Sequence, residues 1–201
     1  MSRFDVLDWR RRVGALYAEV RAAADPAAGH VRWVAGRNEL FATHPASPLV
    51  AIDRETFTGL PVAAYDPVLR FEVFVQDAAP EVRDAVTGTD GTVRFERVGR
   101  VTLAGLGTLD VWWLDQYGGG LFLPLQDPGP GYGGGRYVLD TVKGADLGSI
   151  DGRLVVDLNF AYPPSCAYDP EWACPLPPPG NALTTPVTVG ESAGNWSLGP
   201  G

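Results

Sequence analysis

The sequence predicts an α+β fold dominated by β structure, in which an N-terminal amphipathic helix precedes an antiparallel meander. Three observations support this class. Apolar residues near the start recur at spacings of three and four, the period after His30 is two, and the links between the later segments are short. Short links cannot carry parallel crossovers, so neighbouring strands should be antiparallel. We therefore expect a curled sheet or small barrel, closed by a proline-rich strap.

The chain of 201 residues should form one domain. Residues 1–25 should be a helix docked on that domain, residues 26–191 a β-rich body, and residues 192–201 a frayed tail. A compact chain of this length buries about 70% of its unfolded surface. It therefore needs neither a disulfide nor a structural metal in order to fold.

The first element should be a helix with one apolar face. Ser2 and Asp5 form a plausible capping box at its start, and the segment DPAAGH should end it. One face carries five apolar residues: Val6, Trp9, Val13, Leu16 and Val20. This face should pack on the rest of the domain.

Six segments after His30 have the composition of strands. They read LRFEVFVQ, TVRFERVGRVTL, TLDVWWLDQ, GLFLPLQ, GRYVLD and RLVVDLNFA. The links TGTDG, AGLG, QYGGG and GSIDG are typical of turns. In the second segment, alternation predicts one shared face for Val93, Phe95, Val101 and Leu103.

A proline-rich stretch follows the last strand, from Tyr162 to Gly180. Its PLPPPG sequence should adopt a polyproline II conformation. Trp172 and Leu176 give it apolar groups to bury, which favours a packed strap over an exposed ligand for a proline-binding domain.

The charge and the N-terminal sequence exclude some classes of partner. The net charge is −8, and Lys143 is the only lysine, so we expect no nucleic-acid partner. The N-terminal sequence lacks the apolar region of a signal peptide, and no apolar run is long enough to span a membrane. These features predict a cytoplasmic protein with reduced thiols and no membrane association.

The two cysteines, Cys166 and Cys174, are eight positions apart. Structural zinc uses four ligands at closer spacing, and only His30 and His44 could complete a set, so we expect no metal. A disulfide is geometrically possible, but the expected reducing compartment argues against it. Two further interpretations are a catalytic thiol at Cys166 with His44 as its base, and two buried apolar side chains.

Polar residues also interrupt two of the predicted strands. Alternation in RLVVDLNFA places Asp157 and Asn159 on one face, where they either brace the strap or edge a ligand pocket. Arg136 enters its strand after three glycines and could pair with Asp157, Asp127 or Glu191, or could anchor a substrate carboxylate. We expect Arg136 and Asp157 to belong to one polar cluster.

Several stretches together resemble an uncharacterised bacterial and archaeal family, domain of unknown function 1684 (DUF1684). They are RNELFATHPASPL, GLPVAAYDP, YGGGRYVLD, DLNFAYPPSCAYDPEWACPLPPPGN and VGE, and they extend the resemblance from the N-terminal helix to Glu191. The resemblance places these residues on the family's closing signature: Asp157, Asn159, Tyr162, Cys166, Tyr168, Cys174, Pro175 and Asn181.

Arg136 and Tyr137 fall on an earlier Gly-Arg-Tyr of the same family. The chain departs from the family at Leu158, where Phe is usual, and at Pro163, where Asn is usual. The second change removes an amide from the predicted polar cluster. The resemblance implies no activity, so the functional hypothesis depends on the residues alone.

The functional hypothesis is a small-molecule-binding barrel, with acid–base chemistry on a carboxylate- or carbonyl-bearing substrate and with neither metal nor cofactor. The candidate catalytic residues are His44, Asp157 and Cys166. The candidate ligand-binding residues are Arg136, Tyr137, Asn159, Tyr162 and Asn181. Two alternatives stay open: a non-catalytic structural or interaction protein, and a flavin- or metal-dependent small barrel.

Overall fold

The computed structural model of the protein describes residues 1–88 and 91–197. Its first helix, α1 (Arg3–Ala22), begins at the predicted capping box. The Asp5 amide donates to Ser2 Oγ at 3.1 Å, and the Ser2 amide donates to Asp5 Oδ2 at 2.5 Å. Both bonds satisfy amides that the first helical turn leaves without partners, which explains why the helix starts here.

A second long helix, α2 (Pro26–Thr43), follows almost at once, and a short third helix, α3 (Ala51–Glu55), comes after it. Sequence analysis assigned residues 26–191 to a β-rich body and did not predict these two helices. Asp25 caps α2 by accepting from the Ala27 amide at 3.0 Å, and Pro26 occupies the first turn. Proline is favoured there because its missing N–H would have no partner in any case.

The strands form two antiparallel sheets in the described part of the chain. Five strands make a meander in the order β2-β3-β4-β5-β6, and three make a second sheet in the order β1-β8-β7. The bounds are β1 (Arg70–Val73), β2 (Val82–Thr87), β3 (Gly91–Leu103), β4 (Gly107–Asp115), β5 (Gly120–Leu125), β6 (Arg136–Asp140), β7 (Ser149–Ile150) and β8 (Arg153–Asp157). The α+β class and the antiparallel pairing are confirmed.

The predicted barrel is wrong, because the last long strand does not extend the meander. Strand β8 pairs with β1, from Arg70 opposite Asp157 to Val73 opposite Leu154, although all five strands of the meander lie between them in the sequence. The pattern of short links describes hairpins well but contains no signal for this long-range pair. The result is two sheets, with β2 and β6 at the edges of the larger one.

A β-bulge divides strand β3 between two parts of the core. The register against β4 shifts between Arg97 and Gly99. As a result Val93 and Phe95 pack with Trp112, whereas Val101 and Leu103 pack in the main core under the helices. The predicted single face is therefore wrong, because one extra residue reverses the side-chain alternation.

The helices cover the main core, and the predicted apolar face of α1 is the one that packs. Leu16, Tyr17 and Val20 are buried, and Trp33 of α2 is fully enclosed between them and the sheets. No helix among the described residues is long and apolar enough to cross a membrane.

The segment 192–197, for which composition predicts fraying, is packed against the body. The Ser192 amide donates to the Pro61 carbonyl at 2.9 Å, and the Trp196 ring lies 5.5 Å from that of Tyr168. Trp196 supplies the apolar surface that holds this segment in place. The remaining part of the predicted tail, 198–201, lies outside the described residues.

Candidate functional site

Asp157 and Asn159 brace a loop. Strand β8 ends at Asp157, and a 3₁₀ turn (Leu158–Phe160) follows, so the predicted alternation through Asn159 was wrong. Asp157 Oδ1 accepts from the backbone N–H of Asn159 at 3.1 Å and from the side-chain Nδ2 of Asn159 at 2.7 Å. Asn159 Nδ2 also donates to the Asp66 carbonyl, and Asn159 Oδ1 accepts from the Asp66 amide. The side-chain N–H groups of Asn159 are thus both in use. The pair holds residues 65–66 rather than the proline-rich segment.

The Asp157 carboxylate is completely buried. Its second oxygen accepts from the Tyr65 hydroxyl at 3.1 Å and lies 3.6 Å from an Arg70 nitrogen. Burial raises the pKa of Asp157, and the hydrogen bonds from Asn159 and Tyr65 oppose this shift. Enclosure by its own partners leaves Asp157 a structural acceptor rather than a general base.

Replacing Asp157 with Asn should therefore destabilise the fold. The change keeps the shape but turns an acceptor oxygen into an N–H group that faces donors, at a cost of about 1–3 kcal/mol. Urea denaturation of this variant measures the effect. Asp151→Asn is the matched control, because that side chain is exposed and should show almost no change. A stable Asp157→Asn protein would contradict the bracing role.

Arg136 contacts Asp127 and the C-terminal segment and not Asp157, so the prediction that Arg136 and Asp157 belong to one polar cluster was wrong. Its guanidinium donates to Asp127 Oδ1 at 2.8 Å and to the carbonyls of Val187, Val189 and Glu191. These partners use four of its five N–H groups, leaving little capacity for a substrate carboxylate. Of the three carboxylates considered, it is Asp127 that pairs with Arg136.

Asn181 fastens the end of the proline-rich segment to the larger sheet. Its side chain donates to the carbonyls of Asp110 and Pro124, both at 2.8 Å, and accepts from the Trp112 indole at 2.9 Å. Both of its donors are occupied and the residue is fully buried. Asn181 is thus held as a structural residue, away from any exposed ligand surface.

His44 caps the end of α2. Its Nδ1 accepts from the Ala46 amide at 3.0 Å, so the proton is on Nε2, which lies 3.1 Å from Asp8 Oδ2. The ring also packs edge-on against Trp9. Both ring nitrogens of His44 thus have partners, Ala46 and Asp8, and neither partner is Cys166. These contacts do not support His44 as the base for a Cys166 thiol.

Tyr137 and Tyr162 are the predicted ligand-binding residues that line a cavity. They form an antiparallel bridge through their backbones, and their rings meet edge-to-face at 5.9 Å. The Tyr137 hydroxyl donates to the Pro175 carbonyl at 2.7 Å. Cys174 is among the residues that line the cavity, and Cys166, the predicted catalytic thiol, is not.

The cavity lies where the two long helices meet β6 and the start of the proline-rich segment. Its volume is about 80 Å³. That space accommodates a few water molecules or a small organic molecule, and is far below the roughly 300 Å³ of a site for a drug-sized ligand. The helical part of the wall is formed by Trp9, Val13, Leu16, Tyr17, Arg37, Leu40 and Phe41.

Arg37 brings a buried charge to this wall. Its guanidinium donates to Glu191 at 2.6 Å, and Glu191 also accepts from the Tyr168 hydroxyl. The rings of Phe41 and Tyr162 lie 4.9 and 4.7 Å from the guanidinium carbon, a cation–π geometry. Burial works against the charge, but Glu191 outweighs it and the pKa of Arg37 is raised.

Two buried polar atoms of the cavity residues have no hydrogen-bond partner within the described part of the chain. They are Nε of Arg37, a donor, and Oδ1 of Asp140, an acceptor. The other oxygen of Asp140 lies 3.5 Å from Lys143 Nζ. Unpaired buried groups are rare because each costs free energy, so these two need an explanation.

The tyrosines of the wall are neutral donors. Burial raises the pKa of Tyr137, Tyr162 and Tyr168 well above that of an exposed phenol. Their hydroxyls therefore stay protonated at all physiological pH values. The hydroxyls of Tyr137 and Tyr168 already donate to Pro175 and Glu191. The charged groups of the wall are the guanidinium of Arg37, the carboxylate of Asp140 and the ammonium of Lys143.

Arg37 and Asp140 were not predicted as site residues from the sequence. Arg37 interrupts an apolar face of α2 at helical spacing, and a helix beginning at Asp25-Pro26 would have placed it there. Asp140 ends β6 and gave no distinct signal. The described residues contain no cluster of three or more His, Cys, Asp or Glu side chains that could hold a metal ion. The absence of a metal or cofactor stays a prediction.

Comparisons with known proteins place the chain in a family. A family model described as "Protein of unknown function (DUF1684)" matches residues 55–192. The chain is also similar to the uncharacterized protein from gene locus rrnAC0354 of Haloarcula marismortui, known from a solution NMR structure. That match has 30% sequence identity and a TM-score of 0.56, and covers 95% of this chain and 97% of that one. No curated protein matches. The chain belongs to the DUF1684 family.

Proposed function

We propose that the protein binds a small carbonyl compound in the cavity between α1, α2 and the segment that follows Tyr162. The observation that carries the proposal is the pair of unpartnered atoms, Arg37 Nε and Asp140 Oδ1. A carbonyl oxygen would accept from the first, and an N–H or O–H group of the same ligand would donate to the second. One molecule would satisfy both buried groups.

The charges on the wall favour an uncharged ligand over a carboxylate. Glu191 already neutralises Arg37, and Lys143 lies near Asp140, so the cavity has no unbalanced positive charge. A carboxylate would have to leave water and lie beside Asp140 without a free cation. A primary amide or a hydroxy-carbonyl compound carries the required acceptor and donor without a charge.

Acid–base catalysis by His44 or Asp157 is no part of this proposal, because both have other partners. The alternative hypothesis, a structural role, describes the predicted polar residues outside the cavity better: Asp157, Asn159, Arg136 and Asn181 hold loops and the C-terminal segment. We also propose that the proline-rich segment acts as a strap that forms one wall of the cavity. The cytoplasmic location stays a prediction.

A titration with lactamide tests the proposal. Lactamide has six heavy atoms with a carbonyl, an amide and a hydroxyl, so we expect a dissociation constant of about 1 mM. Amide resonances of the cavity-facing turns of α1 and α2 should shift in two-dimensional NMR spectra, and acetate should cause no comparable shift. Shifts confined to exposed surfaces, or equal binding of acetate, would contradict the proposal.

Two variants make this titration specific. Asp140→Asn replaces a charged acceptor with a neutral one and should weaken lactamide binding about 5- to 10-fold, because hydrogen bonds to charged groups are roughly 1 kcal/mol stronger. Asp115→Asn is the control, because Asp115 is exposed on the larger sheet and should bind lactamide like the unmodified protein. Unchanged binding by Asp140→Asn would exclude Asp140 as the acceptor.

A further inference from the structure

A second, larger cleft lies on the face of the larger sheet opposite the main core. Its volume is about 410 Å³, which is within the range of sites that bind drug-sized ligands. The floor is formed by three aromatic side chains of the sheet, Phe95, Trp112 and Phe122. Strand β2 forms one wall, and residues 175–179 of the proline-rich segment form the other.

The proline-rich wall offers apolar surface and hydrogen-bond acceptors but almost no donors. Four of the five residues 175–179 are prolines, which have no backbone N–H group. The fifth, Leu176, is 54% exposed, so its side chain is available to a ligand. A flat ring can pack between this wall and the aromatic floor. An acceptor group on the same ligand must find its donor on the opposite wall.

Arg83 of β2 supplies donors on that wall. Its guanidinium carbon lies 6.0 Å from the centre of the Trp112 ring, a cation–π distance. Its Nε donates to Glu81 Oε1 at 2.6 Å. The two terminal nitrogens have no hydrogen-bond partner within the described part of the chain, and the side chain is 46% exposed. Two such nitrogens bind a carboxylate through a pair of parallel hydrogen bonds.

Arg83 is also the end of a chain of ion pairs that carries an unbalanced positive charge. Glu81 pairs with Arg83 at 2.6 Å and with Arg97 at 2.9 Å. Arg97 also pairs with Asp110 at 2.9 Å, and Asp110 pairs with Arg100 at 2.6 Å. Among the described residues, three guanidinium groups thus share two carboxylates. An anionic ligand at Arg83 would balance the remaining charge.

Asp84 borders the cleft but does not supply this balancing charge. It follows Arg83 directly in β2, so its side chain points to the opposite face of the sheet. In the register of β2 with β3 it lies opposite Arg94, whereas Ala85 packs against the aromatic floor. The cleft therefore presents the cation of Arg83 to a ligand without an opposing carboxylate on the same face.

We propose that this cleft binds a small aromatic carboxylate. The ring of the ligand lies between residues 175–179 and the floor formed by Phe95, Trp112 and Phe122. The carboxylate accepts hydrogen bonds from the two terminal nitrogens of Arg83. This site shares no residue with the cavity around Arg37 and selects an anion, whereas that cavity favours an uncharged ligand.

A titration with 3-phenylpropionate tests the proposal, and we expect a dissociation constant of about 0.2 mM. The indole N–H resonance of Trp112 and the amide resonance of Leu176 should shift in two-dimensional NMR spectra. Two matched compounds should bind at least about 10-fold more weakly: 3-phenylpropionamide has the ring without the charge, and butyrate has the carboxylate without the ring. Equal binding of either compound, or shifts that leave Trp112 unaffected, would overturn the proposal.

A variant of Arg83 tests the carboxylate contact. Arg83→Gln should weaken binding of 3-phenylpropionate about 10-fold, because it removes both the charge and the paired donors. The fold should persist, since the Arg83 side chain is nearly half exposed. Arg94→Gln is the control, because Arg94 is similarly exposed on the neighbouring strand but faces the other side of the sheet. Unchanged binding by Arg83→Gln would overturn the proposal.

Salt provides a further test without any substitution. Because Arg83 is partly exposed, raising the NaCl concentration from about 20 to about 500 mM should weaken binding of 3-phenylpropionate about 3-fold. An affinity that does not depend on salt would contradict the role of the charge. These measurements follow Trp112 and Leu176, whereas lactamide binding is followed on α1 and α2. The proposed function and this second site can therefore fail separately.

Discussion

Replacing Arg136 with Ala is expected to lower the free energy of unfolding by about 3–5 kcal/mol, because it leaves the buried Asp127 carboxylate without its cation. Both side chains are almost fully enclosed, at 1% and 3% exposure. The change also removes the donor from three carbonyls of the C-terminal segment. Urea denaturation followed by tryptophan fluorescence measures the loss.

Arg32→Ala is the control for this measurement. Arg32 also pairs with a carboxylate, Glu19, but both side chains are at least half exposed. Exposed ion pairs contribute little to stability, so this variant should unfold at nearly the same urea concentration as the unmodified protein. A similar small shift for Arg136→Ala would show that the buried clamp contributes no more than a surface pair.

The second large effect is expected at the cavity wall. Glu191→Gln removes the charge that neutralises Arg37 and should cost about 3–5 kcal/mol, since an unpaired guanidinium stays buried among aromatic rings. Arg37→Met alone should have a similar cost. The double variant should lose much less than the sum, because the two residues contact each other and the remaining charge is gone.

A double-mutant cycle in urea tests this coupling, and Glu96→Gln is the control. Glu96 is nearly half exposed and lies 3.5 Å from Arg94 in an ion pair at the surface, so its removal should change stability little. Additive losses from Arg37→Met and Glu191→Gln would show that the salt bridge is not a unit. They would also remove the reason to treat the cavity wall as electrically neutral.

The secondary structure could be predicted wherever it depends on residues that are close together in the sequence. The capping box at Ser2 and the hairpins of the larger sheet follow from neighbouring residues. Helix α2 was missed because Asp25-Pro26 was treated as the end of one helix, although the same pair is a strong start signal for the next. The pairing of β1 with β8 depends on residues far apart in the sequence, and no local pattern encodes it.

The candidate site was predicted only in part, for a related reason. Tyr137 and Tyr162 line the cavity, and their role in ligand binding stays a prediction. Arg37 could not be proposed as a site residue because helix α2 was not predicted. Glu191 was considered only as a partner of Arg136. In the structure its carbonyl faces Arg136, whereas its carboxylate pairs with Arg37. Which of several carboxylates an arginine selects is decided by tertiary packing, which the sequence alone does not show.

The central claim is that the cavity between Arg37 and Asp140 binds a small carbonyl compound, and a crystal structure of the protein soaked in lactamide tests it most directly. We expect electron density for one molecule in the cavity, with its carbonyl oxygen within hydrogen-bonding distance of Arg37 Nε and a donor group facing Asp140 Oδ1. Density for ordered water alone at both atoms, at a lactamide concentration well above 1 mM, would contradict the claim.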